Sequence, residues 1–135
     1  MMFKHSLAVC SVFLLAFSVH AQTNPEPNAS VESIRTSVVR AIGAQDNTVE
    51  VVIARNIFTV YRVNSNMNES THGGCNNEAT AIASLVSKTI ADKSEFKNII
   101  TIRVQYLSRA GASTKLIDAV EFRKDANGVF QAHMT

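Results

Sequence analysis

One polar segment, residues 64–77, carries the side chains best suited to chemistry in this sequence. Within it Cys75 follows His72 across two glycines, and Glu78 comes directly after the segment. A thiol becomes a nucleophile when it loses its proton, and an imidazole three residues away is placed to accept that proton. Cys75 and His72 are therefore the candidate catalytic residues of a thiol-dependent enzyme or a redox protein.

The helix predicted to follow this segment favours the same chemistry. Apolar residues at helical spacing predict a helix from about Glu78 to Lys93, with Asn76 or Asn77 as its N-cap. Cys75 would then lie just before the helix N-terminus, where unpaired backbone N–H groups favour negative charge and acidify a thiol. The segment is also long for a connection in a small domain, and such loops are often functional.

A structural interpretation of the same residues competes with the catalytic one. Gly73 and Gly74 permit a turn into the helix, and a free cysteine such as Cys75 is among the residues most often buried. No third residue stands at a spacing that would orient His72 or complete a metal site. No metal and no cofactor are therefore predicted, and a non-enzymatic role is favoured. A disulfide-linked homodimer through Cys75 is a further hypothesis.

Helical and β-type periodicities predict the elements around this segment. Val31, Ile34, Val38 and Ile42 predict a first helix, capped by Asn28 or Ser30 and ended by Gly43. The second helix, predicted from about Glu78, has a buried stripe of Ile82, Leu85, Val86 and Ile90. Its small residues Ala79 and Ala83 permit close approach to a sheet. Strands are predicted at residues 48–53, 57–63, 98–107, 115–123 and 129–134. Arg55-Asn56 turns the first hairpin, unless the first two runs form one long bulged strand.

The order α-β-β-α-β-β-β predicts an α+β fold. Hairpins dominate, so we expect a two-layer sandwich in which a mostly antiparallel five-stranded sheet has both helices on one face. The connection through the second helix is long enough to make one parallel pair. In the third strand, alternation places Ile100, Ile102, Val104 and Tyr106 on the buried face, with Ile99, Thr101, Arg103 and Gln105 opposite.

Two polar residues in the last strands interrupt this alternation. Asp118 alternates with apolar residues on what would be the buried face of the fourth strand. The favoured interpretation is a register in which Ile117 and Ala119 face inward and Asp118 is solvated. The alternative is a buried carboxylate at a functional edge, which would need partners. His133, in the last strand, is expected to be exposed.

The N-terminal residues read as a secretory signal. Lys4 precedes an apolar run from Leu7 to Val19, and Ala21 ends a small-residue cleavage site. The run is shorter than the ~20 residues that span a membrane, so no stable membrane insertion is expected after cleavage. We predict a signal peptide at residues 1–21, a flexible linker at 22–28 and one domain at 29–135, exported to the periplasm or the extracellular space.

Cleavage changes both the charge and the cysteine count. Loss of Lys4 takes the formal net charge from +2 to +1, which argues against nucleic acid as a partner. Arg62, Arg103, Arg109, Arg123 and Lys124 are then best regarded as scattered, solvated charges. Loss of Cys10 leaves Cys75 without an internal disulfide partner.

The favoured function is binding of another protein or an envelope component. An antiparallel sheet with helices on one side leaves its second face, which carries Arg103, for water or a partner. The segment 64–77 is the alternative surface. The candidate binding residues are Asn66, Asn68, His72, Cys75 and Arg103.

Overall fold

A computed structural model describes residues 28–133 and packs two helices against a five-stranded sheet. The predicted signal peptide, Cys10 and most of the linker lie outside the described residues. The elements are α1 (Ala29–Ile42), β1 (Val49–Ala54), β2 (Ile57–Val63), α2 (His72–Ile90), β3 (Thr101–Ala110), β4 (Ser113–Lys124) and β5 (Phe130–His133). Short 3-10 turns lie at Asp46–Thr48, Asn66–Glu69 and Ser94–Phe96. The predicted α+β order is confirmed.

The sheet follows the order of the chain from β1 to β5. β2 and β3, which precede and follow α2 in the sequence, are neighbours in the sheet and run parallel. The other three neighbouring pairs are antiparallel. The predicted mostly antiparallel five-stranded sheet is therefore confirmed, and the parallel pair that the long connection permits is present. In the first hairpin the left-handed residue is Arg55, with φ 57°, whereas the sequence favoured Asn56 for that conformation.

α1 begins and ends where its sequence predicts. The Asn28 side chain accepts a hydrogen bond from the Ser30 N–H at 3.0 Å, which caps the N-terminus. Gly43 ends the helix at φ 63°, a conformation that costs glycine little. Ile34 and Val38 are fully buried against the sheet layer.

α2 begins six residues earlier than predicted, so residues 72–77 are helical and do not form a loop. The predicted caps Asn76 and Asn77 are wrong, because Thr71 occupies the N-cap position without a side-chain cap bond. The Thr71 carbonyl accepts hydrogen bonds from the N–H groups of Gly74 and Cys75. A helix accommodates Gly73 and Gly74 in its first turn because packing of its later turns offsets their low helix propensity.

The core lies between α1, α2 and the helix-facing side of the sheet. Fully buried side chains from two strands and two helices lie at its centre: Phe58, Val60, Ile102, Val104, Tyr106, Ile34, Val38 and Val86. Ala79 and Ala83 are buried as predicted, and their small side chains let α2 approach the sheet. No helix within residues 28–133 is both long and apolar enough to cross a membrane.

The start of β3 differs from its predicted alternation. Ile99 is 3% exposed and Ile100 is 49% exposed, the reverse of the expected faces. The strand begins only at Thr101, and the preceding residues follow a 3-10 turn in which the Ile99 N–H bonds to the Phe96 carbonyl. Ile99 ends that turn, and Ile100 bonds to Asn56 and Lys124 before the regular strand begins, so the two-residue period of β3 does not extend back to these side chains.

Candidate functional site

The open face of the sheet carries a row of charges on neighbouring strands. Arg103 on β3 lies opposite Glu121 on β4 in the register, and its Nη2 is 2.6 Å from Glu121 Oε1. Arg123 adds a second guanidinium 3.4 Å from Glu121 Oε2. Burial by itself raises the pKa of Glu121, but the hydrogen bond and charge of Arg103, helped by Arg123, outweigh it and lower that pKa overall. Two cations therefore share one carboxylate.

A shallow depression of about 340 Å³ adjoins this charge row. Its lining combines the apolar side chains of Ile57 and Ile100 with the polar groups of Arg103, Glu121 and Arg123. Arg123 has 56% of its side chain exposed, and Ile100 is also half-exposed. The depression thus offers an aliphatic contact beside an excess of positive charge.

On the helix-facing side, Arg62 forms a buried ion pair between β2 and α2. Its Nε donates to Glu78 Oε1 at 2.8 Å, and the two side chains are 5% and 13% exposed. Arg62 Nη2 also donates to Ser65 Oγ at 2.9 Å. Tyr106 Oη lies 3.1 Å from Glu78 Oε1 and 3.0 Å from the Cys75 carbonyl oxygen. Burial, reinforced by the Glu78 charge, raises the pKa of Tyr106 strongly, so its hydroxyl remains a hydrogen-bond donor.

The prediction that Arg62 is a solvated charge is wrong. Phe58, Val60 and Arg62 alternate on β2, and this period of two places all three on the core face. That alternation was present in the sequence and is the signal that could have identified the buried arginine. A cleft of about 410 Å³ beside this pair is lined mainly by polar groups, but Glu78 neutralises Arg62, which weakens it as an anion site.

Cys75 lies inside the first turn of α2, and 2% of it is exposed. Its thiol donates to the Met67 carbonyl at 3.3 Å. Burial raises the pKa of this thiol, and the charges of Asp118 and Glu78 add to the effect. The structure agrees with the structural interpretation of Cys75 as a buried residue, and it lacks the acidic, accessible thiol of the catalytic interpretation. This arrangement weighs against the thiol-dependent alternative.

His72 turns toward β4. Its Nδ1 lies 2.7 Å from Asp118 Oδ2, and 70% of the histidine side chain is exposed. The favoured prediction for Asp118 is wrong: it lies opposite Tyr106 on the face that also buries Val120, and its side chain is 20% exposed. His72 is the partner that this half-buried carboxylate needs.

His133 is exposed as predicted, and it lines a hollow of about 280 Å³ together with His72, Asn76 and Asp118. Within residues 28–133 no three His, Cys, Asp or Glu side chains are grouped closely enough to hold a metal ion. The hollow is therefore a surface feature beside α2, with the His72–Asp118 hydrogen bond at its rim.

The two candidate asparagines lie in the 3-10 turn that precedes α2. Asn66 is exposed and lines the cleft beside Arg62. Asn68 donates from Nδ2 to the Leu107 carbonyl at 3.1 Å, which fastens the turn to β3. Its Oδ1 is the only buried side-chain oxygen or nitrogen of the described residues without a hydrogen-bond partner. Asn68 thus acts first as a structural contact, whereas Asn66 is free to meet a ligand.

The five candidate residues therefore do not converge on one site. Arg103 is on the open sheet face, His72, Cys75 and Asn68 surround the start of α2, and Asn66 faces the polar cleft. Together the fold and these surfaces define a two-layer α+β arrangement in which no element of residues 28–133 covers the second face of the sheet. Comparisons with protein-family models, with curated proteins and with solved structures each gave no match.

Proposed function

We propose that this protein is an exported, non-enzymatic binding domain that binds another protein of the envelope or the extracellular space through the open face of its sheet. The observation that carries the proposal is the charge row of Arg103, Glu121 and Arg123 beside the apolar depression at Ile57 and Ile100. Export rests on the signal sequence at residues 1–21.

The shape of the open face favours a protein over a small molecule. Five strands spaced about 4.8 Å apart, paired over four to ten residues, present a surface of roughly 20 Å by 20 Å. That is about half of the ~800 Å² that each partner contributes to a standard protein interface, so neighbouring loops would complete it. Small-molecule sites are concave and enclosing, whereas this face has only a shallow depression.

The chemistry of the face indicates what a partner presents. Two arginines share one carboxylate, so the row attracts a further negative group next to Arg123. Ile100 is 49% exposed, so an aliphatic side chain of a partner can contact it. A partner strand or loop with an acidic residue beside an aliphatic one fits both features, and the surrounding polar rim is typical of a non-obligate interface.

The test is capture of envelope proteins on immobilised protein, followed by quantitative mass spectrometry. The decisive variants are Ile100→Asp, which removes the aliphatic contact, and the double exchange Arg103→Glu with Glu121→Arg, which keeps the ion pair but moves its charges. Arg40→Glu is the matched control, because Arg40 is an exposed arginine on α1, in the helix layer.

We expect one set of proteins to be enriched by the wild type and the control and lost with both face variants. Asn66→Ala is a further arm that tests the alternative surface at residues 64–77. Loss of the partner with Asn66→Ala and retention with the face variants would move the site to the polar cleft. Equal enrichment by every variant would contradict the proposal.

A further inference from the structure

The outer edge of β4 is left unpaired over most of its length. β4 runs from Ser113 to Lys124, but β5 pairs only with residues from Glu121 to Lys124. The preceding part, Ser113–Val120, hereafter the β4 edge, pairs with β3 on one side and has no strand on its other side among residues 28–133. The backbone N–H and C=O groups that point away from β3 are therefore available to pair with another strand.

Exposed apolar side chains lie at the middle of this edge. Leu116 is 53% exposed and Ile117 is 38% exposed, and they are adjacent. Unpaired edges are normally protected by charges, proline, β-bulges or a covering element. The β4 edge has two charges, Lys115 and Asp118, and an irregular register, but its two adjacent aliphatic residues remain exposed, and a second strand would cover them. The opposite edge of the sheet differs, since Arg35 donates to the Val49 carbonyl at the start of β1.

A bulge in β4 sets which residues share a face. Tyr106 lies opposite Asp118 and Leu107 lies opposite Leu116, so Ile117 has no direct partner in β3. Lys115 lies opposite Ser108, and β3 is regular there, so Lys115 points to the same face as Asp118. Without the extra residue, positions three apart would point to opposite faces.

This arrangement makes the β4 edge complementary to itself. When two copies run antiparallel about a two-fold axis between Leu116 and Ile117, each Leu116 lies opposite Ile117 of the second copy. Lys115 then lies opposite Asp118 of the second copy, and because of the bulge both point to the same face. Lys115 has no ion-pair partner within the described residues, so this contact gives it one on each side of the axis.

Neighbouring registers lose this match. An axis at Ile117 places Leu116 against Asp118, and an axis at Leu116 places Lys115 against Ile117. Each sets a charge against an aliphatic side chain, which is unfavourable. Charge complementarity therefore selects one isologous register, the kind of contact that closes a two-fold dimer.

We propose that the β4 edge pairs with the β4 edge of a second copy. The two five-stranded sheets then form one continuous sheet, in which the two copies of Thr114–Ala119 pair antiparallel. This inference goes beyond the proposed binding function and does not depend on it. The Arg103 depression lies on the open face toward the other end of β4, so it stays accessible in the dimer.

Sedimentation velocity of the purified protein over a concentration series, with a reductant present, measures the association and excludes a Cys75 disulfide as its cause. The decisive variants are Lys115→Asp and Asp118→Lys. In each alone, the proposed register sets like charges opposite one another twice, so we expect association to weaken by at least about tenfold, or ~1.4 kcal/mol. Mixed together, the two variants place opposite charges at both positions, and we expect a heterodimer.

Lys97→Asp is the matched control, because it makes the same charge change at an exposed lysine that precedes β3, at the end of the sheet away from the β4 edge. Far-UV circular dichroism of every variant verifies that it folds. Recovery of association only in the mixture supports the register, because a general loss of stability cannot be repaired by mixing. A wild type that is monomeric at all concentrations, or a mixture no better associated than its components, overturns the proposal.

Discussion

Glu78 Oε1 accepts a hydrogen bond from Arg62 Nε at 2.8 Å and lies 3.1 Å from Tyr106 Oη, so one carboxylate oxygen joins α2 to both β2 and β3. β2 and β3 are the parallel pair at the centre of the sheet. Parallel strands cannot be joined by a hairpin, and the chain between them is α2 itself. The buried ion pair therefore fixes the first turns of α2 where the sequence around Gly73 and Gly74 supports a helix poorly.

Removal of the Glu78 carboxylate should strongly destabilise the domain. Glu78→Ala leaves the buried guanidinium of Arg62 without its counter-charge, and breaking such a pair costs about 3–5 kcal/mol. Urea unfolding followed by circular dichroism measures the change in the free energy of unfolding. Glu69→Ala is the control, because Glu69 is exposed. A loss below about 1 kcal/mol, the value of an exposed pair, would show that the contact is solvated.

The sequence predicts correctly those helix boundaries and buried faces that depend on only a few neighbouring residues. Asn28 and Gly43 bound α1 because capping depends on adjacent backbone groups, and the hydrophobic stripe of α2 is read from its own spacing. The start of α2 was missed because glycines and asparagines favour turns locally. Two tertiary contacts decide in favour of the helix: the Cys75 thiol in the first turn donates to the Met67 carbonyl, and Glu78 in the second turn pairs with Arg62 on β2.

The candidate site depended on information that the sequence does not hold locally. The predicted helix starts after Cys75, and moving its start by six residues turns an activated thiol into a buried one. The partner of His72 is Asp118, 46 residues away, and no local pattern pairs the two. The direction of the Asp118 carboxylate follows the regular alternation with Val120 and Phe122 that the sequence already shows. Thr71 is of a residue type common at N-caps, but the glycines and asparagines that follow it favour a turn.

Glu121 should make the stability of the domain depend on acid pH. Its folded-state pKa lies below the unfolded value of about 4.3, so its contribution is present above that pH and is lost as pH falls through the folded pKa. Glu121→Gln should cost about 1 kcal/mol at pH 7, the upper scale of an ion pair that solvent partly screens. Urea unfolding of both proteins at pH 7 and near pH 3 measures whether this difference shrinks in acid. A difference independent of pH contradicts the ion pair.

Cys75 should react slowly with thiol reagents in the folded protein. Its thiol is buried and its pKa is raised, so both access and the thiolate fraction are low. We expect alkylation at pH 8 to be more than about a hundredfold slower than in urea, because an opening free energy of about 3 kcal/mol suppresses the accessible state by that factor. A non-reducing gel of the same samples tests the disulfide-linked homodimer.

The raised thiol pKa also predicts a pH effect on stability. Above the pKa of the thiol in the unfolded chain, about 8.5, the unfolded chain loses this proton while the folded protein keeps it. The free energy of unfolding therefore falls as pH rises through this range. The wild type should therefore lose stability relative to Cys75→Ala between pH 8 and pH 10. Rapid alkylation of folded protein at neutral pH, with an apparent pKa below that of a free thiol, would revive the thiol-dependent function.

Gly73 and Gly74 are adjacent in the first turn of α2 but differ in the space around them. A Cβ at position 73 meets only Thr71 Oγ1, at 3.8 Å, whereas a Cβ at position 74 lies 2.0 Å from Ser70 Oγ and 3.2 Å from Ser70 Cβ. Gly73→Ala should therefore stabilise the protein by up to about 1 kcal/mol through helix propensity. Gly74→Ala has the same propensity gain but forces Ser70 out of its present rotamer against a still crowded Cβ.

We expect Gly74→Ala to be at least about 1 kcal/mol less stable than Gly73→Ala, the combined scale of a displaced rotamer and a tight contact. Thermal and urea unfolding of the two variants, compared with the wild type, gives the difference directly. In a Ser70→Gly background the crowding atoms are gone, so the two alanine variants should become equivalent. If they already match in the wild-type background, Ser70 moves freely, and the turn before α2 does not constrain where the helix begins.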